Sequence, residues 1–560
     1  MTESVATDWS VAFLGQLIAQ GLTHCVVSPG ARSQALALAA LEWQRTPGCD
    51  LTVHVVVDER SAAFFALGLA VETKKPAVCI STSGSAPAHY FPAVLEALHQ
   101  GVPLMCLTAD RPEALRGVGA NQTTNQQALF GPRVPSWSVE ATSESKLEGA
   151  PRIAHEAWQA AVSGSPVQVN VAFSEPLSAP LNKGSLQIPE ALPEDPDQRE
   201  PVVISLAPEP GTLVIAGHGA SARAEKLAHD LGAPLIAEVA SGARFGPHLV
   251  LSYQDVLSEA SLPGEIKRVI TCGRPTLSRA VTALLERGDL DHIAVRGSAL
   301  EPSNLSRSAH VVDEIHVDVT ATKEQSAHWV KPWVMASRDK HNARVAEFLP
   351  NPPDLEALQS DDQAVRSGFA KAEMEVLRRP ITRESLALEV WDSSWPHDRL
   401  VWGASRMIRV ADQIVGGKNI TVHANRGLSG IDGTIATARG IAVGALDSGM
   451  GGTTRVVLGD LATLHDVGSL LVDPAAQTTP RVHVIVANDG GGTIFDELEV
   501  RATASSEDFD RVLYTPHEVD LGSLARAYGW AYRQVSTMGD LTEALGLPDS
   551  LLVIDVTLAR

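Results

Sequence analysis

Short runs rich in β-branched and other apolar residues recur along the chain, each followed by a longer Ala/Leu-rich stretch with helical spacing. Between residues 10 and 175 the runs are HCVVS, LTVHVVV, AVCIST, PLMCLTA and PVQVNVAF. A second set, TLVIAG, APLIAE, RVITCG, HIAVRG and EIHVDV, ends near residue 320, and a third comprises LVWGA, ITVHA, TRVVLGD, RVHVIVAN and SLLVIDV. Strands and helices alternating at this spacing predict parallel sheets covered by helices on both faces, because a parallel crossover needs room for a helix. The Pro-rich stretch 176–201 and the polar EFLPNPPDLEALQSDDQ interrupt the alternation. The expected fold is therefore α/β, with three doubly wound domains over residues 1–180, 200–345 and 365–560. A length of 560 residues agrees, since one core does not serve so long a chain.

Charge narrows the classes of partner. Sixty-six acidic against forty-five basic residues give a net charge of −21, so neither nucleic acid nor an anionic membrane is expected as a partner. The start, MTESVATDWSVAFLG, has acids where a signal peptide has bases, and no apolar run is long enough to span a bilayer, which predicts a cytoplasmic protein. Five cysteines form no CxxC pair and read as reduced, mostly core residues.

Ligands of open parallel sheets sit at the carboxyl ends of strands, and two such ends in the third block stand out. One is VVLGDLATLHDV with Gly459 and Asp460; the other, roughly 28 residues on, is VIVANDGGGTIF with Asn488, Asp489, Gly490, Gly491 and Gly492. Three consecutive glycines cost backbone entropy and pack nothing, which suggests close approach of backbone to a ligand. Oxygen donors from Asp460, from Asp489 or Asn488, and from a glycine carbonyl suit part of a magnesium octahedron that leaves places for diphosphate oxygens. Either end alone is as readily an ordinary turn. A third feature lies in VVVDERSAAFFALGLA, where Asp58, Glu59 and Arg60 stand between a strand and an apolar helix. Taken by itself this is a helix cap with solvated charges.

The GD...ND pairing resembles the signature of the thiamin diphosphate enzymes, with Leu461 where that family usually has Gly and Asp489 where it usually has Asn. The resemblance implies a thiamin diphosphate-binding fold. It makes Asp460, Asp489 and the Gly491 carbonyl the ligands of Mg²⁺ or Mn²⁺, with Asn488 and Gly490 replacing the latter two if the register slips by one. It further makes Glu59 the acid that activates the cofactor's pyrimidine ring, at a site formed between subunits of a homodimer or homotetramer. Gly459, Leu461, Gly492, Ile494 and Phe495 are implied to contact the cofactor, with Ile431 supporting its bent shape.

Within that group, SPGARS, DER, TSGSA, TADRPEAL, GANQT, GASRMIR, NRGLSGIDG, GDLATLHD and NDGGGTIF resemble a carboligase family of menaquinone biosynthesis. That family decarboxylates 2-oxoglutarate and adds the succinyl unit to isochorismate. By position in the motifs, Ser405 and Arg409 are expected to bind the 2-oxoglutarate carboxylate, and Arg32, Arg111 and Gln122 to face isochorismate, with Arg426 a further substrate contact. Arginines gathered in this way reconcile an acidic protein with acidic substrates. Ala31 stands where many relatives have Ser. The segment GRPTLSR matches a basic pair only loosely, leaving Arg279 as a substrate contact and Arg274 with Arg296 as candidates for an effector site. None of the eighteen histidines adjoins another, unlike the His pair of aldehyde-releasing decarboxylases. Competing readings are a pyruvate-using carboligase of the acetolactate synthase type and a non-catalytic metabolite sensor.

Overall fold

The computed structural model describes residues 4–141, 149–181, 186–193, 200–259, 261–297, 299–318, 323–349, 354–476 and 478–560. Parts of the 176–201 stretch and of the connection after residue 346 lie outside these. Three large sheets, each entirely parallel, hold all but one of the strands that the apolar runs predict, together with several they do not.

The first sheet runs, in spatial order, Thr52–Val55, His24–Val27, Ala77–Ser81, Leu104–Asp110, Val167–Phe173 and Ser136–Ala141. The second runs His310–Val312, Asp291–Val295, Arg268–Cys272, Thr212–Ala216 and Leu235–Ala237. The third runs Thr421–His423, Arg399–Trp402, Thr454–Gly459, Val482–Asn488, Leu551–Thr557 and Ala531–Val535. EIHVDV departs from expectation: Glu314–Val317 pairs with Val203–Leu206 in a separate two-stranded sheet rather than joining the second.

Central strands such as Ala77–Ser81 and Val167–Phe173 are buried at every residue, as sheets covered on both faces require. Apolar clusters accordingly lie on the two sides of each large sheet. The five cysteines are free; Cys79 and Cys106 face each other across paired strands with sulfurs 3.6 Å apart.

The helix Glu59–Thr73 lies against Thr434–Asp447 of the third block, and both are apolar around most of their circumference. A Cβ on Gly68 would lie 2.1 Å from the Thr437 carbonyl oxygen, and one on Gly440 would lie 2.1 Å from that of Phe65. The two backbones thus touch where only glycine fits, locking the first sheet's layer onto the third. Among the described residues no helix is long and apolar enough to cross a membrane.

Candidate active site

Loops at the carboxyl ends of Arg399–Trp402, Thr454–Gly459 and Val482–Asn488 surround a cleft of about 150 Å³. Ser405, Ile431, Gly459, Asp460, Leu461, Asp489, Gly491, Gly492, Ile494 and Phe495 all line it. Every residue expected to touch the cofactor is therefore gathered here except Glu59. Arg383, Arg406 and Thr493 also line the cleft and were not singled out from the sequence.

Asp460 opens the helix Asp460–His465 and is 1% exposed. Its Oδ1 accepts the Leu461 backbone N–H at 2.6 Å, whereas Oδ2 has no hydrogen-bond partner among the described residues and lies 3.3 Å from Nε2 of His517. Burial, with Asp489 nearby, pushes the Asp460 carboxyl above its ordinary range. An orphaned, buried carboxylate oxygen is a costly feature that a hard cation would relieve. Asp489 donates its position to the same cleft, but its Oδ2 already accepts from Arg383 at 2.6 Å and from the Thr493 hydroxyl at 2.6 Å. Asn488 is occupied within the fold: its amide donates to Asp555 at 2.9 Å and its Oδ1 accepts from the Gly490 N–H at 3.3 Å. Among the described residues no group of three or more His, Cys, Asp or Glu is arranged to hold a metal. Two carboxylates and a carbonyl fit a Mg²⁺ site completed by water and phosphate oxygens.

The glycine run has a structural explanation that the sequence did not suggest. A Cβ on Gly491 would lie 2.5 Å from the carbonyl oxygen of Tyr514, whose hydroxyl donates to the Asp489 carbonyl at 2.7 Å. A neighbouring segment of the same chain, rather than a ligand alone, demands these glycines.

Asp58 caps the helix Glu59–Thr73, accepting the N–H groups of Arg60 at 2.8 Å and Ser61 at 3.4 Å. Glu59 is the first helical residue, is half-buried, and does not line the cleft of its own chain. Arg60 crosses to the third block, donating to the His465 carbonyl at 2.7 Å.

The arginines form two groups. Arg32, Arg111 and Gln122 meet at the carboxyl edge of the first sheet: the Arg32 N–H donates to Thr82 Oγ1 at 3.2 Å, and the Gln122 amide to the Ser83 carbonyl at 3.0 Å. Burial and the neighbouring Arg111 lower the pKa of Arg32, and Nε of Arg111 is buried without a partner among the described residues. Arg409 and Arg426 form the second group. Arg409 donates to the Ser405 carbonyl at 2.7 Å, and Ser405 stands at a helix N-cap position without making a side-chain capping bond. Burial, with Arg409 beside it, lowers the pKa of Arg426. Arg279 stands apart, its side chain 84% exposed and 3.6 Å from Glu499. Arg274 donates to the His99 and Gly427 carbonyls, and Arg296 pairs with Asp313 at 3.2 Å.

Residues 8–129 match the family model described as thiamine pyrophosphate enzyme, N-terminal TPP binding domain. A 2-succinyl-5-enolpyruvyl-6-hydroxy-3-cyclohexene-1-carboxylate synthase of Leifsonia xyli subsp. xyli is 46% identical, the alignment covering 100% of this chain and 97% of the relative. The chain belongs to this synthase family. Synthases of the same name from Clavibacter michiganensis subsp. michiganensis and Renibacterium salmoninarum are 44% and 39% identical, covering 100% and 95% of this chain and 97% and 91% of theirs. Benzoylformate decarboxylase from Polynucleobacter necessarius shares the fold, with a TM-score of 0.63 at 15% identity over 100% of this chain and 99% of that one. The sequence-based expectations of a thiamin diphosphate-binding fold and of membership in the synthase family both hold.

Proposed function

We propose that the protein is a transferase that decarboxylates 2-oxoglutarate and adds the succinyl unit to isochorismate, releasing CO₂ and 2-succinyl-5-enolpyruvyl-6-hydroxy-3-cyclohexene-1-carboxylate. The supporting observation is the convergence of Asp460, Asp489 and the Gly491–Gly492 turn on one cleft in a chain similar to these synthases over its full length. Bound thiamin diphosphate supplies the carbanion stabilisation that loss of CO₂ from a 2-oxo acid requires. Asp460, Asp489 and the Gly491 carbonyl hold Mg²⁺, or Mn²⁺, against the diphosphate. The engagement of Asn488 with Asp555 supports Asp489 in that role. Gly459, Leu461, Gly492, Ile494, Phe495 and Ile431 enclose the cofactor.

Glu59 holds a proton against the ring nitrogen of the pyrimidine. Its position outside the cleft of its own chain supports a homodimer or homotetramer in which Glu59 serves a second copy's site. Ser405, Arg409 and Arg426 bind the 2-oxoglutarate carboxylate, and Arg32, Arg111 and Gln122 orient isochorismate. Two arginine pairs in different layers, each with a buried unpartnered nitrogen, suit two carboxylate-bearing substrates. Arg279 contacts substrate from the rim. The same reading places the enzyme in the cytoplasm, divided into domains at 1–180, 200–345 and 365–560.

The test is turnover by the purified protein with Mg²⁺ and thiamin diphosphate. CO₂ release from 2-oxoglutarate with consumption of isochorismate is expected. Release from pyruvate instead would point to the acetolactate synthase type, and tight binding without turnover to a sensor.

A further inference from the structure

Arg426 is 2% exposed, and all three of its hydrogen bonds go to neutral oxygens of one residue in the central block. Nε and Nη2 donate to Thr276 Oγ1 at 3.1 and 2.6 Å, and Nη2 donates to the Thr276 carbonyl at 3.1 Å. Nη1 is buried and has no partner among the described residues. The carboxyls of Glu238, Glu96 and Asp412 lie near this buried guanidinium, but its direct hydrogen bonds go only to uncharged acceptors, which fix its orientation and leave Nη1 to donate to an anion.

Thr276 is itself firmly held. One carboxylate oxygen of the buried Glu238 accepts the backbone N–H groups of both Thr276 and Leu277 at 2.6 Å. Two residues earlier, Arg274 and His218 exchange a pair of backbone hydrogen bonds of 2.9 and 3.0 Å. From the other side, the carboxylate of Glu96 in the first block accepts the N–H groups of Gly427 and Leu428, immediately after Arg426. Thr276 is nonetheless exposed, so core packing does not explain a hydroxyl there.

We propose that Thr276 is a positioning residue for Arg426, orienting the guanidinium so that its remaining nitrogen meets a carboxylate of the 2-oxo acid. The central domain then takes part in substrate recognition through one hydroxyl. This rests on the reading of Arg426 and Arg409 as the 2-oxoglutarate carboxylate site.

Steady-state kinetics of the Mg²⁺- and thiamin diphosphate-loaded full-length enzyme test it with Thr276→Val, Thr276→Ser and Arg426→Ala. Thr276→Val is expected to raise KM for 2-oxoglutarate roughly tenfold, leaving kcat and KM for isochorismate within about twofold of wild type, the signature of lost binding to a charged group. Thr276→Ser restores the wild-type KM. An unchanged KM in Thr276→Val, when Arg426→Ala raises it, overturns the positioning role alone. A Thr276→Val enzyme with both KM values raised, or with kcat reduced and KM unmoved, also overturns it. An unchanged KM in Arg426→Ala removes the underlying assignment and the proposal with it.

Discussion

Replacing Asp460 by Asn should make the protein more stable than wild type without ligands and less stable than wild type with them. The Asp460 carboxylate is 1% exposed, its Oδ2 accepts no hydrogen bond among the described residues and has only the His517 ring 3.3 Å away, and burial beside Asp489 disfavours its charged form. The isosteric amide keeps an oxygen for the Leu461 N–H, removes the charge, and offers a donor to the His517 ring 3.3 Å away. A buried unsatisfied group costs about 1–3 kcal/mol, so the ligand-free variant should gain ~1–2 kcal/mol. At about 2–4 °C per kcal/mol for domains of this size, Tm rises by about 2–8 °C. Wild-type protein in hundredfold excess of Mg²⁺ and thiamin diphosphate over Kd should gain about 2.7 kcal/mol, and the variant should lose that gain with its metal ligand. Differential scanning fluorimetry with and without both ligands reads the four values. A ligand-free variant less stable than wild type, or one that keeps the full ligand-induced shift, refutes the reasoning.

Glu59→Gln should retain equilibrium binding of thiamin diphosphate, followed by calorimetry, yet lose most turnover; full activity would remove the proposed acid. Gly440→Val puts side-chain carbon against the Phe65 carbonyl, where the first added atom already lies 2.1 Å away. An overpacking cost of about 1–3 kcal/mol or more should lower the urea midpoint, and an unchanged midpoint would deny the close helix contact. Burial beside Asp412 pushes Glu238 up to about 8 from 4.5. Because the folded-state value is the higher one, the contribution is fully present at low pH and is lost as pH rises toward 8. Urea midpoints should therefore fall between pH 5 and pH 8, as roughly set by those two values, and fall less in Glu238→Gln; parallel pH profiles would argue against it.

Strand-turn-helix units were legible because their signals are local. A run such as RVHVIVAN declares a doubly covered strand, and Asp460 and Asp489 at strand ends follow from it. Ser136–Ala141 and Ala531–Val535 carry little local strand signal because they are half-exposed strands at sheet edges, with few apolar residues. Glu314–Val317 has a strand's composition, but composition does not choose the pairing partner, here Val203–Leu206 across more than a hundred residues.

What the sequence determined by itself was the alternation of elements and the chemistry at their ends, since side-chain periodicity and turn preferences act over a few residues. Tertiary structure alone decided which distant groups meet. Arg383 reaches Asp489 across 106 positions and Arg426 reaches Thr276 across 150, while the Tyr514 carbonyl fills the space where a Gly491 side chain would lie. Such meetings depend on how layers pack, where each contact is specified by the burial and hydrogen bonding of many residues at once, and no local pattern encodes them.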